Sequence, residues 1–135
     1  GAGGAARAIS VAVAHKGCAR VDITNRTPEK AEAVATLTGE FTGNSPIGIV
    51  ALATSDLNSY DIVINATSLG LHEDDPHPVP LDRLRRDCLV CDIIMVPDRT
   101  KWLIAAEQSG RPVHKGRHML DYQLELIGRF IGAFD

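Results

Sequence analysis

The sequence has no uninterrupted apolar stretch that approaches the roughly 18 residues needed to cross a bilayer. Its most hydrophobic segment, residues 89–96, is interrupted by Asp92. The chain also has no excess of basic residues, because its formal net charge is −3 and its 14 lysines and arginines are scattered. These absences argue against a membrane partner and against nucleic-acid binding. We therefore expect a soluble domain whose partner is a small molecule.

Cysteine is scarce, and its odd number argues against a disulfide framework. The three are Cys18, Cys88 and Cys91. Cys88-x-x-Cys91 followed by His114-x-x-x-His118 imitates a zinc pattern. The cysteine pair, however, lies in a run typical of a buried strand, where positions three apart point to opposite faces. We predict buried, reduced thiols, no metal site, and a reducing compartment, the cytoplasm.

No repeat, linker or low-complexity tract interrupts the chain. Its 135 residues, 44% of them hydrophobic, predict one domain over residues 1–135. Apolar runs alternate with amphipathic stretches, which is typical of βαβ units around a parallel sheet. The predicted strands are residues 21–24, 47–52, 60–65, 88–94 and 112–114, and the predicted helices are residues 6–16, 28–37, 100–109 and 118–133.

Individual residues set several of these boundaries. Gly39 is placed to end the second helix and Gly110 the third, while Thr100 is placed to cap the third. A loop is predicted at Gly43, Asn44, Pro46 and Gly48.

The most informative pattern is a turn of small residues at the start of the sequence. A pyrophosphate binds against backbone N–H groups at a helix N-terminus only where no side chain blocks its approach, which favours glycine and alanine. The pattern here is G-x-G-x-x-A, which is typical of a dinucleotide-binding, Rossmann-type fold. It consists of Gly1, Ala2, Gly3, Gly4, Ala5 and Ala6. We therefore predict an α/β three-layer sandwich with a parallel sheet.

The end of the first predicted strand indicates which dinucleotide binds. NAD-selective domains place an acidic residue there, about 20 residues after the glycines, to accept hydrogen bonds from the ribose 2′-hydroxyl. This chain has Asn25 and Arg26 instead. A guanidinium grips a 2′-phosphate with two hydrogen bonds, and Thr27 and Lys30 add a hydroxyl and a positive charge. The segment favours NADP, and it is also a good helix start with Thr27 as the cap before Pro28.

Ligands of parallel α/β folds bind at the carboxyl ends of the strands. Residues 65–70 follow one predicted strand, and their small and hydroxyl side chains, Thr67 and Ser68 among them, suit a loop over a cofactor. The alternative is an ordinary turn. Residues 92–97 end the next strand, where Ile93 and Met95 are able to face a nicotinamide ring or a substrate. For Met95 the alternative is core packing.

Five ordered motifs along the whole chain together resemble the NADP-binding domain of the shikimate dehydrogenase family. They are the turn at residues 1–5, Asn25-Arg26-Thr27 with Lys30, Asn65-Ala-Thr-Ser-Leu-Gly70, Pro97-x-x-Thr100 and Gly116-x-x-Met119-Leu120-x-x-Gln123. The resemblance implies an NADP-dependent oxidoreductase that reduces 3-dehydroshikimate to shikimate in the biosynthesis of aromatic amino acids. Some relatives use quinate or NAD.

The resemblance also implies roles for individual residues. The cofactor contacts that it implies are Gly1, Ala2, Gly3, Gly4, Ala5, Asn25, Arg26, Thr27, Lys30, Thr67, Ser68, Ile93, Gly116 and, near the nicotinamide, Met119. The substrate contacts that it implies are Gln123, from the closing helix, and the position of Met95.

This sequence departs from the family pattern at two points, and each limits the roles that can be assigned to its residues. The family usually has tyrosine, a substrate contact, at the position of Met95, and a thioether cannot donate that hydrogen bond. We interpret this as a hint of an altered substrate preference, for quinate or an amino analogue. The second departure is that the lysine and aspartate the family uses at the reacting hydroxyl belong to a preceding domain, so no catalytic residue is assigned to this chain.

The glycine turn should also follow a buried strand, and no residue precedes Gly1 in this sequence. We expect that this first, central strand is missing, since a domain is stable by only about 5–15 kcal/mol and exposing the neighbours of a buried strand would cost more. We therefore expect this sequence to be an excerpt of a two-domain protein. In that protein the domain would pack against its own N-terminal catalytic domain.

Two other functions stay open. The same fold could be a non-catalytic dinucleotide-sensing domain that regulates a partner. A two-domain dehydrogenase of the folate or glutamyl-tRNA type shares the glycine turn but is disfavoured by Gly116-x-x-Met119-x-x-x-Gln123. Among the histidines only His118 lies near the expected site, where it either touches the cofactor or caps the last helix.

Overall fold

A computed structural model describes residues 1–42, 46–50 and 55–133. The chain forms two compact units, Gly1–Leu57 and Asn58–Asp135, and each is described by itself. Within the described residues, no helix is both long enough and apolar enough to span a membrane.

The first unit contains two helices and a two-stranded parallel sheet. Its elements are α1 (Gly4–His15), β1 (Val21–Ile23), α2 (Pro28–Thr42) and β2 (Ile47–Ile49). The strands β1 and β2 pair in register, with Val21 opposite Ile47. The buried core of the unit joins the glycine turn, β1 and α2 through Ala2, Ile23, Ala31 and Val34. The sheet thus packs against the helix that follows β1, as a βαβ unit requires.

Two of the sequence predictions for this unit are wrong. Helix α2 does not end at Gly39 but continues to Thr42. A glycine inside a helix destabilises it by only about 1 kcal/mol relative to alanine, so it does not by itself end the helix. Gly48 lies in β2, not in a loop. The rest of the predicted loop at residues 43–44, and the end of the predicted strand at residues 51–52, fall outside the described residues.

The second unit contains a three-stranded parallel sheet in the order β3-β4-β5. Its elements are β3 (Ile62–Asn65), β4 (Leu89–Asp92), α3 (Lys101–Gln108), β5 (Val113–His114) and α4 (Gly116–Phe130), with a short 3-10 turn at Leu81–Arg83. A second 3-10 turn, Leu57–Ser59, includes the last residue of the first unit and the first two of the second. The central strand β4 is buried from Val90 onward, and Trp102 and Leu103 of α3 are buried too. The Trp102 indole N–H donates to the Val79 carbonyl at 2.9 Å, so its polar atom is satisfied in the core.

The helix boundaries in this unit are partly as predicted. Thr100 caps α3, since its hydroxyl oxygen accepts a hydrogen bond from the Leu103 N–H at 3.3 Å. Gly110 follows the helix with a φ of +81°, a conformation that favours glycine. Helix α4, however, begins at Gly116 and ends at Phe130. Of the two roles considered for His118, capping of this helix is wrong, because Lys115 is the N-cap residue and His118 lies inside the first turn.

Candidate functional site

The glycine turn leaves the N-terminus of α1 open. Gly3 is the residue before the helix, it makes no side-chain cap, and the first helical turn carries no acidic residue. A Cβ atom built on Gly3 or Gly4 would meet no atom within 4 Å. There is thus room beside Gly3 and Gly4, and no capping side chain or acidic residue competes for the first N–H groups of α1, an arrangement that fits a phosphate group.

The segment after β1 lies beside this turn. The Gly1 nitrogen donates a hydrogen bond to the Thr24 carbonyl at 2.7 Å, which ties the turn to the carboxyl end of the strand. The Asn25 side-chain amide donates to the Thr27 carbonyl at 3.0 Å and shapes the bend into α2. Arg26 and Lys30 are exposed. The segment from the end of β1 to the first turn of α2 thus has two exposed cations, where an NAD-selective domain has a carboxylate.

In the second unit, polar side chains end two neighbouring strands. Asn65 of β3 and Asp92 of β4 are register partners, and the Asn65 amide donates to the Asp92 carboxylate at 3.2 Å. The same carboxylate accepts from the Ile94 N–H at 3.0 Å and from the Thr100 hydroxyl at 3.0 Å. One buried carboxylate thereby joins the ends of both strands to the start of α3.

The residues after Asn65 form a tightly bonded turn. The Asn65 side-chain oxygen accepts from the Thr67 N–H at 3.1 Å and from the Thr67 hydroxyl at 2.6 Å. The Thr67 oxygen in turn accepts from the Leu69 N–H at 3.0 Å. Ser68 is exposed at the outside of this turn. The structure therefore shows the ordinary Asx turn. A cofactor contact by this turn stays a prediction.

Burial is the main electrostatic influence on Asp92. Its exposed fraction is only 3%. Burial raises the pKa of the carboxyl above its usual value, while hydrogen bonds from Ile94, Asn65 and Thr100 oppose that rise. An ionised carboxylate is costly in such a place unless its oxygens are bonded, and these three donors meet that need.

The segment after β4 is fixed at two points by the start of α4. A Cβ atom on Gly116 would lie 2.4 Å from the Ile93 carbonyl carbon and 2.5 Å from the carbonyl oxygens of Ile93 and Ile94. Only glycine allows this approach of helix and strand end. The Lys115 ammonium also pairs with the Asp98 carboxylate at 2.6 Å. Met95 lies between these two contacts in the sequence, and 41% of its surface is exposed. Among the described residues it is therefore not part of a buried core.

The first turns of α4 carry the remaining predicted contacts. Met119 is half-buried and Gln123 is exposed. One broad face of the helix is apolar and exposed: its members are Leu120, Tyr122, Leu124, Leu126, Ile127 and Phe130.

The chain is similar in sequence and fold to known proteins. The sequence profile described as Shikimate / quinate 5-dehydrogenase matches residues 1–98. The chain belongs to this family. It is 41% identical over 133 residues to the shikimate dehydrogenase (NADP(+)) of Bacillus licheniformis, an alignment that covers 98% of this chain and 43% of the relative. The chain therefore spans less than half the length of that relative.

Solved structures of similar proteins share the fold. The shikimate 5-dehydrogenase of Thermus thermophilus, in complex with NADP(H) and shikimate, has a TM-score of 0.82 and 31% identity over 99% of this chain and 48% of its own. The ligand-free 5-ketofructose reductase of a Gluconobacter species has a TM-score of 0.75 and 36% identity over 89% of this chain and 44% of its own. The parallel α/β, Rossmann-type fold class predicted from the sequence is confirmed.

The roles of the individual site residues remain predictions. These residues are divided between the two units. The glycine turn and the segment around Arg26 lie together in the first unit, while Thr67, Ser68, Ile93 and Gly116 lie at strand ends of the second. Sequence reasoning missed the bonded cluster of Asn65, Asp92 and Thr100. The available signal was an Asn or Asp in each of two apolar runs, Asn65 and Asp92, because such side chains commonly bond to the N–H two residues later, as both do here.

The two cysteines of the central strand region are free and buried, as predicted. Burial raises the pKa of the Cys91 thiol from 9.0 to about 12, and the nearby Cys88 and Asp92 add smaller upward contributions. The raised value means that the folded chain keeps a proton that the unfolded chain loses above pH 9.

Stability should therefore fall as the pH rises from 9 toward 12, by about 1.4 kcal/mol per pH unit from this thiol. Denaturant unfolding of wild type and of Cys91→Ala between pH 8 and pH 10.5 measures it. The variant starts less stable, because it leaves a small cavity, but its stability should fall less steeply with pH. Equal slopes for the two proteins would show that Cys91 does not hold its proton in the folded state.

Proposed function

We propose that this chain is the cofactor-binding domain of an NADP-dependent shikimate dehydrogenase, a cytoplasmic oxidoreductase that reduces 3-dehydroshikimate to shikimate. The observation that carries the proposal is the exposed pair of cations, Arg26 and Lys30, at the strand end beside the open glycine turn. NADP+ held there would accept a hydride from the hydroxyl-bearing carbon of shikimate, and NADPH would donate one to the ketone carbon of 3-dehydroshikimate.

The first unit selects the phosphorylated dinucleotide in this proposal. Arg26 and Lys30 would hold the 2′-phosphate, the guanidinium as a planar hydrogen-bond donor and the ammonium as a point charge. The open N–H groups at the start of α1 receive the pyrophosphate. Asn25 and Thr27 add neutral polar groups at the same bend. The cofactor named for the Bacillus licheniformis relative, NADP(+), supports this assignment.

The second unit orients the reacting ends. We assign the turn carrying Thr67 and Ser68, together with Ile93, to the cofactor, and Met95 to the substrate. The close contact at Gly116 holds the segment after β4 in place. Proton transfer belongs to a lysine and an aspartate outside this chain, so binding and orientation are the work of the residues described here.

Helix α4 joins this domain to the rest of the enzyme in the proposal. Its exposed apolar face is too extensive for a surface helix of a soluble protein, and Phe130 is 91% exposed. We propose that this face packs against the N-terminal catalytic domain of the full-length protein. Met119 and Gln123, on the same helix, would then reach nicotinamide and substrate from that interface.

Quinate is the second candidate substrate. Met95 stands where a substrate-contacting tyrosine is usual, and the exposed thioether offers no donor to the ring substituents. The relationship to a 5-ketofructose reductase also indicates that this fold accommodates substrates other than shikimate. An amino analogue of shikimate, or NAD in place of NADP, belongs to the same alternative.

The experiment is steady-state oxidation of shikimate and of quinate by the full-length protein that carries this chain, each with NADP+ and with NAD+. We expect the highest kcat/KM for shikimate with NADP+, read from nicotinamide absorbance. A preference for quinate would assign the second candidate substrate. Binding of NADPH with no activity toward either substrate would favour a dinucleotide-sensing domain.

A further inference from the structure

The proposed function gives no role to the buried Asp92 carboxylate at the end of the central strand. It has no place in hydride or proton transfer, yet it is almost completely buried. Apolar or neutral side chains would avoid the cost of burying a charge. Its hydrogen bonds therefore indicate what it does.

The strongest structural consequence concerns the orientation of the Asn65 amide. The Asn65 nitrogen donates to the Asp92 carboxylate at 3.2 Å and to the Leu69 carbonyl at 2.8 Å. Both partners are acceptors only, so the opposite orientation would place the amide oxygen against a carboxylate and a carbonyl. Asp92 and the Leu69 carbonyl together thus fix the amide so that its oxygen faces Thr67.

The Asn65 side-chain oxygen determines how the Thr67 hydroxyl is bonded. The Thr67 hydroxyl gives its single hydrogen to this oxygen and accepts from the Leu69 N–H. Its donor is therefore used inside the turn. The neighbouring Ser68 is exposed, and within the described part of the chain its hydroxyl makes no hydrogen bond. Ser68 is the residue of this turn with a hydroxyl hydrogen to offer a ligand.

We propose that Asp92 is a positioning residue for cofactor binding, which acts through Asn65 to hold the turn at residues 65–69 in its ligand-ready form. This proposal rests on the proposed function, because it requires that the turn contact NADP. It assigns to Asp92 a role separate from its bonds to Ile94 and Thr100, which fix the segment after β4 and the start of α3.

The chain offers variants that separate these bonds. Asp92→Ser shortens the side chain so that it no longer reaches Asn65, while a serine hydroxyl still accepts from the N–H two residues later, that of Ile94. Thr100→Val is the matched control, since it removes a donor to the same carboxylate and the cap of α3 but leaves Asn65 bonded. Asp92→Asn keeps an oxygen toward Asn65 and Ile94 and is the conservative rescue.

The measurement is the Kd of NADPH for the full-length protein by fluorescence titration, with thermal melts and the KM for shikimate. Asp92→Ser is expected to raise the Kd about 10-fold and to change the KM for shikimate less than about twofold. Asp92→Asn should stay within about threefold of wild type in Kd. Thr100→Val should lower the melting temperature without a comparable rise in Kd.

A double-mutant cycle with Asn65→Ala tests whether the effect passes through Asn65. If it does, Asp92→Ser adds no further loss of NADPH affinity in the Asn65→Ala background. The proposal is overturned if Asp92→Ser binds NADPH like wild type, if its loss multiplies with that of Asn65→Ala, or if Thr100→Val weakens binding equally. Failure of Asp92→Asn to bind would also overturn it, since charge and not the acceptor position would then matter.

Failure of the proposed function would look different from failure of this inference. Wild-type protein that does not bind NADPH refutes both. Wild-type protein that binds NADPH, together with unchanged binding by Asp92→Ser, refutes only the positioning role.

Discussion

Replacing Arg26 with alanine is expected to lower kcat/KM for NADP+ about 50-fold while changing kcat/KM for NAD+ less than about threefold. Hydrogen bonds to a charged group contribute about 1.5–3 kcal/mol, which brackets a loss of about 50-fold. NAD+ lacks the 2′-phosphate, so it gains nothing from the guanidinium at that place. The ratio of the two specificity constants, measured in the full-length protein, is the readout.

Lys16→Ala is the matched control for the Arg26 variant. Lys16 is an exposed cation of the same unit, but it follows the C-terminal end of α1, the end opposite the glycine turn. Its removal should leave the NADP+/NAD+ ratio unchanged, which tests for a general effect of net charge. An equal loss with both cofactors on removing Arg26 would contradict a phosphate clamp and would indicate stacking on the shared adenine ring.

Local patterns predicted the parts of the fold that depend on neighbouring residues. Thr100 caps its helix because a threonine oxygen reaches the N–H three residues on, which is a local geometry. The open turn at Gly3 depends likewise on residue type alone, since a missing side chain is visible in any sequence. The position of Arg26 just after a strand could be predicted too, because the alternation of apolar and polar runs indicates where that strand ends.

The parts that depend on distant residues could not be predicted in this way. The bond between Asn65 and Asp92 joins positions 27 residues apart, and it exists because β3 and β4 pair in one particular register. Neither residue carries a local mark of its partner. The sequence therefore indicated a polar loop after each strand but not the single buried carboxylate that joins them.

The start of α4 illustrates the same limit. A helix beginning at His118 is reasonable from local preference, because glycine is a poor helix former. The structure begins the helix at Gly116, where the backbone comes close to the carbonyl groups of Ile93 and Ile94. The resemblance to the family assigned Gly116 a cofactor contact, and its packing against β4 gives an independent reason for glycine.

Replacing Gly116 with alanine should consequently destabilise the protein by about 3 kcal/mol or more. The new Cβ atom would lie 2.4–2.5 Å from three backbone atoms, so no side-chain rotation relieves the overlap. Either α4 or the segment after β4 must move. Since that segment carries Ile93 and Met95, the KM values for cofactor and substrate should both rise, in contrast to the selective effect of the Arg26 variant.

Gly39→Ala is the matched control, a glycine-to-alanine change at a helical position where the new Cβ meets no atom within 4 Å. It should stabilise the protein by about 0.5–1 kcal/mol, because alanine loses less backbone entropy on folding. Thermal melts and steady-state kinetics of both variants provide the comparison. If Gly116→Ala melts at the wild-type temperature, helix and strand end can separate at no cost. The close approach would then not be what requires glycine at this position, and a direct contact with the cofactor would become its main explanation.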